Sequence, residues 1–101
     1  MPQAFPYIRV TSTGSNTLSI SQGMILHAIV LNQQSTVAAT STANQATVYD
    51  ATTNSGKVVG VIQLNNAGVG DYLYDIVLTN GLTLQVGTAA SPVDITISGT
   101  F

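Results

Sequence analysis

The chain has 101 residues, of which two are basic and four acidic, with one histidine and no cysteine. Charged residues make up 6% of it, against about 25% in an ordinary globular protein, and Arg9 and Lys57 alone cannot neutralise a phosphate backbone, which excludes nucleic-acid binding by electrostatics. The lack of cysteine excludes disulfides and thiolate chemistry, and no apolar run approaches the ~20 residues that span a bilayer as a helix.

In chain order, strands are predicted over 6–13, 17–21, 24–32, 35–40, 45–50, 57–64, 71–79, 82–87 and 93–99. No helix is expected, because Val, Ile and Thr dominate and no capping box precedes an apolar stretch of 3.6 period. Nine short strands about ten residues apart, separated by Gly, Asn, Ser and Thr clusters, read as a sandwich or barrel in one domain. The first residues, MPQAFPYIRV, show no basic segment followed by an apolar one, so a secretory signal is not expected and synthesis in a cytoplasm is.

Individual segments say more. Pro2 and Pro6 resist pairing in a central strand, while Phe5, Tyr7 and Ile8 supply apolar area. Phe5, Tyr7 and Arg9 are therefore candidate contacts for an arm that docks on a partner, Arg9 pairing with a carboxylate there. Packing along the arm's own sandwich edge or on a sister subunit is the alternative. The run MILHAIVL, 24–31, is apolar on both strand faces apart from His27. A strand of that kind is covered on both sides, which makes Met24, Leu26 and His27 candidate subunit contacts. A histidine buried there would weaken an assembly as pH falls, because charging a buried imidazole is costly.

Further on, Tyr72, Tyr74, Ile76 and Leu78 share a strand face, and Val93, Ile95 and Ile97 alternate with polar residues. Asn80-Gly81 is a strong hairpin signal, since both residues adopt positive φ cheaply. It predicts that 76–78 and 82–86 are adjacent antiparallel strands.

Catalytic chemistry finds little to work with. His27 has no serine or cysteine elbow beside it, and Ser and Thr hydroxyls need a base within reach to act as nucleophiles. Asp71 and Asp75 fall on one strand face and would make half of a calcium site, but no loop concentrates carboxylates. TTNSGK lacks the spacing of a phosphate loop. No catalytic, cofactor-binding or metal-binding residue is assigned, and an enzyme is not expected.

From about residue 23 onward an apolar strand is followed by Val48-Tyr49-Asp50-Ala51-Thr52, Ser55-Gly56-Lys57-Val58, a glycine-containing loop, Asn80-Gly81-Leu82-Thr83-Leu84-Gln85-Val86 and Val93-Asp94-Ile95-Thr96-Ile97. This order resembles the small β-sandwich virion proteins of tailed bacteriophages, of the capsid decoration (cement) or head-fibre type. The resemblance implies an all-β, antiparallel, jelly-roll-like sandwich of eight or nine short strands, with 1–22 as N-terminal arm and first strands and 23–101 as the body. It also implies a non-enzymatic decoration protein on the capsid surface, often a homotrimer, whose partners are its own copies and the major capsid protein or another virion protein. A head-fibre or tail-fibre module that binds a receptor or carbohydrate is the alternative. Against it, Trp is absent and tyrosines are partial substitutes.

Overall fold

The computed structural model describes residues 5–37, 42–65 and 70–101. Its strands are β1 (Tyr7–Val10), β2 (Gly14–Ser19), β3 (Met24–Gln33), β4 (Gln45–Asp50), β5 (Lys57–Gln63), β6 (Gly70–Leu78), β7 (Leu82–Val86) and β8 (Asp94–Gly99), with a single 3-10 turn at Thr42–Asn44. They form two four-stranded sheets, ordered β1-β8-β3-β6 and β2-β7-β4-β5, every pairing antiparallel. Consecutive strands alternate between the sheets except β4 and β5, which form a hairpin. This double Greek-key order is that of a jelly roll.

Period-2 alternation turns one face of each sheet into the core. Leu26, Ile29 and Leu31 of β3 and Ile95 and Ile97 of β8 meet Ala46 and Val48 of β4 and Leu82, Leu84 and Val86 of β7, all buried. Tyr74 of β6 closes the open side. Its ring lies so near Gly60 of β5 that a Cβ there would fall 2.5 Å from its Oη, and burial raises the pKa of the phenol.

Two expectations are corrected. Residues 35–37 pair with no strand among the described residues, and residues 38–40 lie outside them. Ser35 is buried and bonds sideways: its Oγ donates to the Ser91 carbonyl at 3.0 Å and accepts the Ser91 N–H at 3.1 Å. Thr36 N–H donates to the same carbonyl at 2.7 Å. A short serine or threonine side chain that satisfies loop backbone competes with a sheet ladder.

The second correction concerns Asn80-Gly81. β6 and β7 are not partners: β6 is the edge of one sheet, beside β3, and β7 is central in the other, between β2 and β4. Thr79, Asn80 and Gly81 carry the chain from one sheet to the other. Gly81 does have a positive φ, +136°, and a Cβ on it would meet the Ser19 carbonyl oxygen at 2.6 Å. The glycine is required, but by a crossover.

Asp50 holds that crossover. It is the last residue of β4 and points inward, where its carboxylate accepts the Asn80 N–H at 2.8 Å and the Thr79 N–H and hydroxyl at 3.2 Å each. Desolvation is the largest influence on this group and would raise its pKa. The donors of Asn80, Thr79 and Gly81 together outweigh it and hold the carboxyl below its ordinary value. The register pairs Asp50 with Lys57 of β5, while its side chain serves the crossover that leaves β6 of the opposite sheet.

Candidate interaction surface

The sequence-derived site residues divide between the core and one outer face. Met24 and Leu26 are 2% and 0% exposed inside their own sandwich, so they do not form a subunit contact. Alternation along β3 explains this, because residues 24 and 26 share the inward side. Phe5, Tyr7, Arg9 and His27 belong to the outer face of the β1-β8-β3-β6 sheet, which the following distances describe.

On this face β3 and β6 are both irregular at the same level. The register shifts between Leu26 and Ala28, a bulge at His27, and opposite it Asp75 adopts φ 50°, a left-handed conformation that aspartate tolerates better than most residues. Together they bring His27 Nδ1 to 2.5 Å from Asp75 Oδ1. The Phe5 ring stacks on the imidazole with centroids 4.4 Å apart and planes 14° from parallel, which lays the N-terminal segment against the sheet. His27 thus sits beside a carboxylate with its side chain 35% exposed.

Arg9 also finds its carboxylate within the chain. Its Nε donates to Asp94 Oδ1 at 2.7 Å and its Nη2 to Oδ2 at 2.6 Å, a fork across β1 and β8. Asn32 Nδ2 adds a bond to Asp94 Oδ1 at 3.1 Å. Hydrogen bonding to Asp94 raises the guanidinium pKa, and the bonds from Arg9 hold the Asp94 carboxyl below its ordinary value despite some desolvation. The first strand therefore packs on its own sandwich edge: Tyr7, Ile8, Arg9 and Val10 pair with Ser98, Ile97, Thr96 and Ile95.

Among these paired charges stand large apolar side chains in water. Tyr7 is 71% exposed, Leu73 68% and Val77 60%. Register places them. Tyr7, Ser98, Ala28 and Leu73 follow one another straight across the four strands, so small residues in the middle are flanked by bulky ones at either edge. Ile25 and Val77 are direct neighbours beside that row. The face is a shallow apolar trough with a polar margin.

Sequence reasoning missed Asp75 as the partner of His27 and Leu73 and Val77 as surface residues. The alternation of GDYLYDIVL assigns 71, 73, 75 and 77 to one side, but which strand lies next to it is not a property of the segment. Among the described residues no group of three or more His, Cys, Asp or Glu side chains is arranged to hold a metal ion. No protein-family model, curated protein or solved structure matches the chain.

Proposed function

We propose that the chain is a non-enzymatic structural protein of a bacteriophage virion, a decoration protein that packs as a homo-oligomer, expected to be a trimer, on the capsid surface. The observation that carries this reading is the outer face of the β1-β8-β3-β6 sheet, where Tyr7, Leu73 and Val77 lie exposed among ion pairs already closed within the chain. Jelly rolls serve capsids, lectins and cupins alike, so the fold selects none of these. An apolar trough with a satisfied polar margin is the anatomy of a protein interface. Burying the exposed parts of these three side chains contributes about 3–6 kcal/mol before the cost of association. The resemblance to small phage virion proteins supplies the setting.

Light scattering coupled to size exclusion tests the assembly. The chain should run as an oligomer at micromolar concentration, and Leu73→Asp should yield a folded monomer with unchanged circular dichroism. A monomeric parent protein would overturn the oligomer. Mass spectrometry of particles purified from the phage that encodes the chain tests the setting: copy number should be comparable to that of capsid subunits, and absence from particles would overturn the virion reading.

A further inference from the structure

The opposite outer face, on the β2-β7-β4-β5 sheet, has a different chemistry. It holds a groove of about 500 Å³, within the range of about 300–1,000 Å³ that small-ligand sites occupy. The floor is built from Gln45, Thr47 and Tyr49, successive outward positions of β4, with Gln85 of β7 beside them. One end is closed by Asn54. It belongs to the hairpin loop 51–56, which is folded back over the sheet and fastened there by Thr83 Oγ1 donating to the Ala51 carbonyl at 3.0 Å and Thr17 Oγ1 to the Thr52 carbonyl at 3.1 Å. The other end is closed by Thr42 and Thr88, whose turns are joined by Gly87 N–H to the Gln45 carbonyl at 2.8 Å and Ala89 N–H to the Ala43 carbonyl at 2.9 Å.

No charged side chain lines this groove. Two amide pairs stand in or beside it, Asn54 Nδ2 donating to Gln85 Oε1 at 3.0 Å and Gln45 Nε2 to Gln63 Oε1 at 2.9 Å. Each pair fixes the orientation of its amides and leaves valences over: the Gln85 amide nitrogen donates to no partner, and the side-chain carbonyl oxygens of Asn54 and Gln45 accept from none, among the described residues. The Thr47 hydroxyl and the Tyr49 phenol are in the same position, open to the groove.

We propose that this groove binds a neutral saccharide. Each sugar hydroxyl is both donor and acceptor, and it is met best by groups that offer both, which oriented amides and hydroxyls do. The C–H face of a pyranose needs an apolar plate, which the Tyr49 ring supplies. A phosphate or carboxylate ligand would call for a cation, and a metal ion for carboxylates. Neither is present in the lining. Between these two closed ends the groove is open to solvent, so a saccharide enters it from above the sheet. The inference does not rest on the virion reading, since it concerns the other face and purified protein suffices to test it.

The test is a 1H–15N NMR titration of the full chain with maltohexaose, cellohexaose and chitotetraose, each to millimolar concentration. At least one should shift the side-chain amides of Gln45, Asn54 and Gln85 and the backbone of Thr47 and Tyr49, leaving β3 and β6 unchanged. Tyr49→Ala and, in the loop, Asn54→Ala should weaken that binding by about tenfold or more, with circular dichroism spectra like the parent's. Shifts with none of the three sugars, shifts located on the other sheet, or binding indifferent to both substitutions would overturn the proposal.

Discussion

Replacing Asp50 by alanine should unfasten the passage between the two sheets. The carboxylate accepts three hydrogen bonds, from Asn80 N–H at 2.8 Å and from Thr79 N–H and Oγ1 at 3.2 Å. A bond to a charged group contributes about 1.5–3 kcal/mol, but bonds that share one acceptor are not additive. Thr79 and Asn80 are also exposed, so water recovers part of what they lose. The net cost is about 2–4 kcal/mol, a large share of a stability of about 5–15 kcal/mol, and equivalent to a fall in Tm of about 10–30 °C for a domain of this size. Urea denaturation at pH 7 measures it. The sign of the pH dependence follows from the lowered pKa in the fold. Such a group contributes fully above its unfolded-state value of about 3.9 and loses that contribution as pH falls through the lower folded-state value. The gap between parent and Asp50→Ala should therefore be constant near neutrality and narrow below about pH 4. A cost under about 0.5 kcal/mol at pH 7 would refute the clasp, as would a gap that persists unchanged in strong acid.

Gly81→Val should cost about 2–4 kcal/mol, because valine is strained at φ +136° and its Cβ would press on the Ser19 carbonyl at 2.6 Å; a melting temperature equal to the parent's would show that this crossover is not as described. Deleting residues 1–8 removes Tyr7 and Ile8 from the β1–β8 ladder, the Pro6 carbonyl that accepts Gly99 N–H at 3.1 Å, and the Phe5 stack on His27. The truncated chain should melt lower than the parent, and an unchanged melting curve would mean that this segment does not belong to the sandwich.

Strand positions were legible because period-2 alternation is written locally: 45–50 was read to the residue and the other seven strands to within three residues at each end. Neighbours were not, because pairing is decided by loop lengths and by the fit of whole faces. Asn80-Gly81 shows the difference. A positive-φ glycine serves a hairpin and a sheet-to-sheet crossover equally well, and the deciding feature, a carboxylate thirty residues earlier at Asp50, leaves no mark in the segment itself. The run at 24–31 shows another. Its doubly apolar look has two sources: Met24 and Leu26 belong to the core, while Ile25 and Val30 belong to the outer face. The bulge at His27 breaks simple alternation between them. The closing of Arg9 onto Asp94 was equally out of reach, since the two residues are 85 positions apart.

A chain with so few charges makes their placement informative. Were they present only for solubility, they would be scattered over both outer faces. Apart from Asp50, turned into the core, and Lys57, exposed on β5 of the other sheet, they are gathered on one side: Arg9, Asp94, His27, Asp75 and Asp71 belong to strands of one sheet and to its outward positions, beside its large exposed apolar side chains. Four of the five are tied into pairs. Charges set among apolar groups fix register and exclude wrong partners more than they add affinity, which is what a repeating assembly requires of a contact face. The other sheet keeps its outward surface free of charge in the groove and furnishes it with amides and hydroxyls. The two faces lie back to back across one core about 10 Å thick. If the first is covered by assembly, the second is turned outward, so the division of labour proposed for them places the groove where a ligand in solution can reach it.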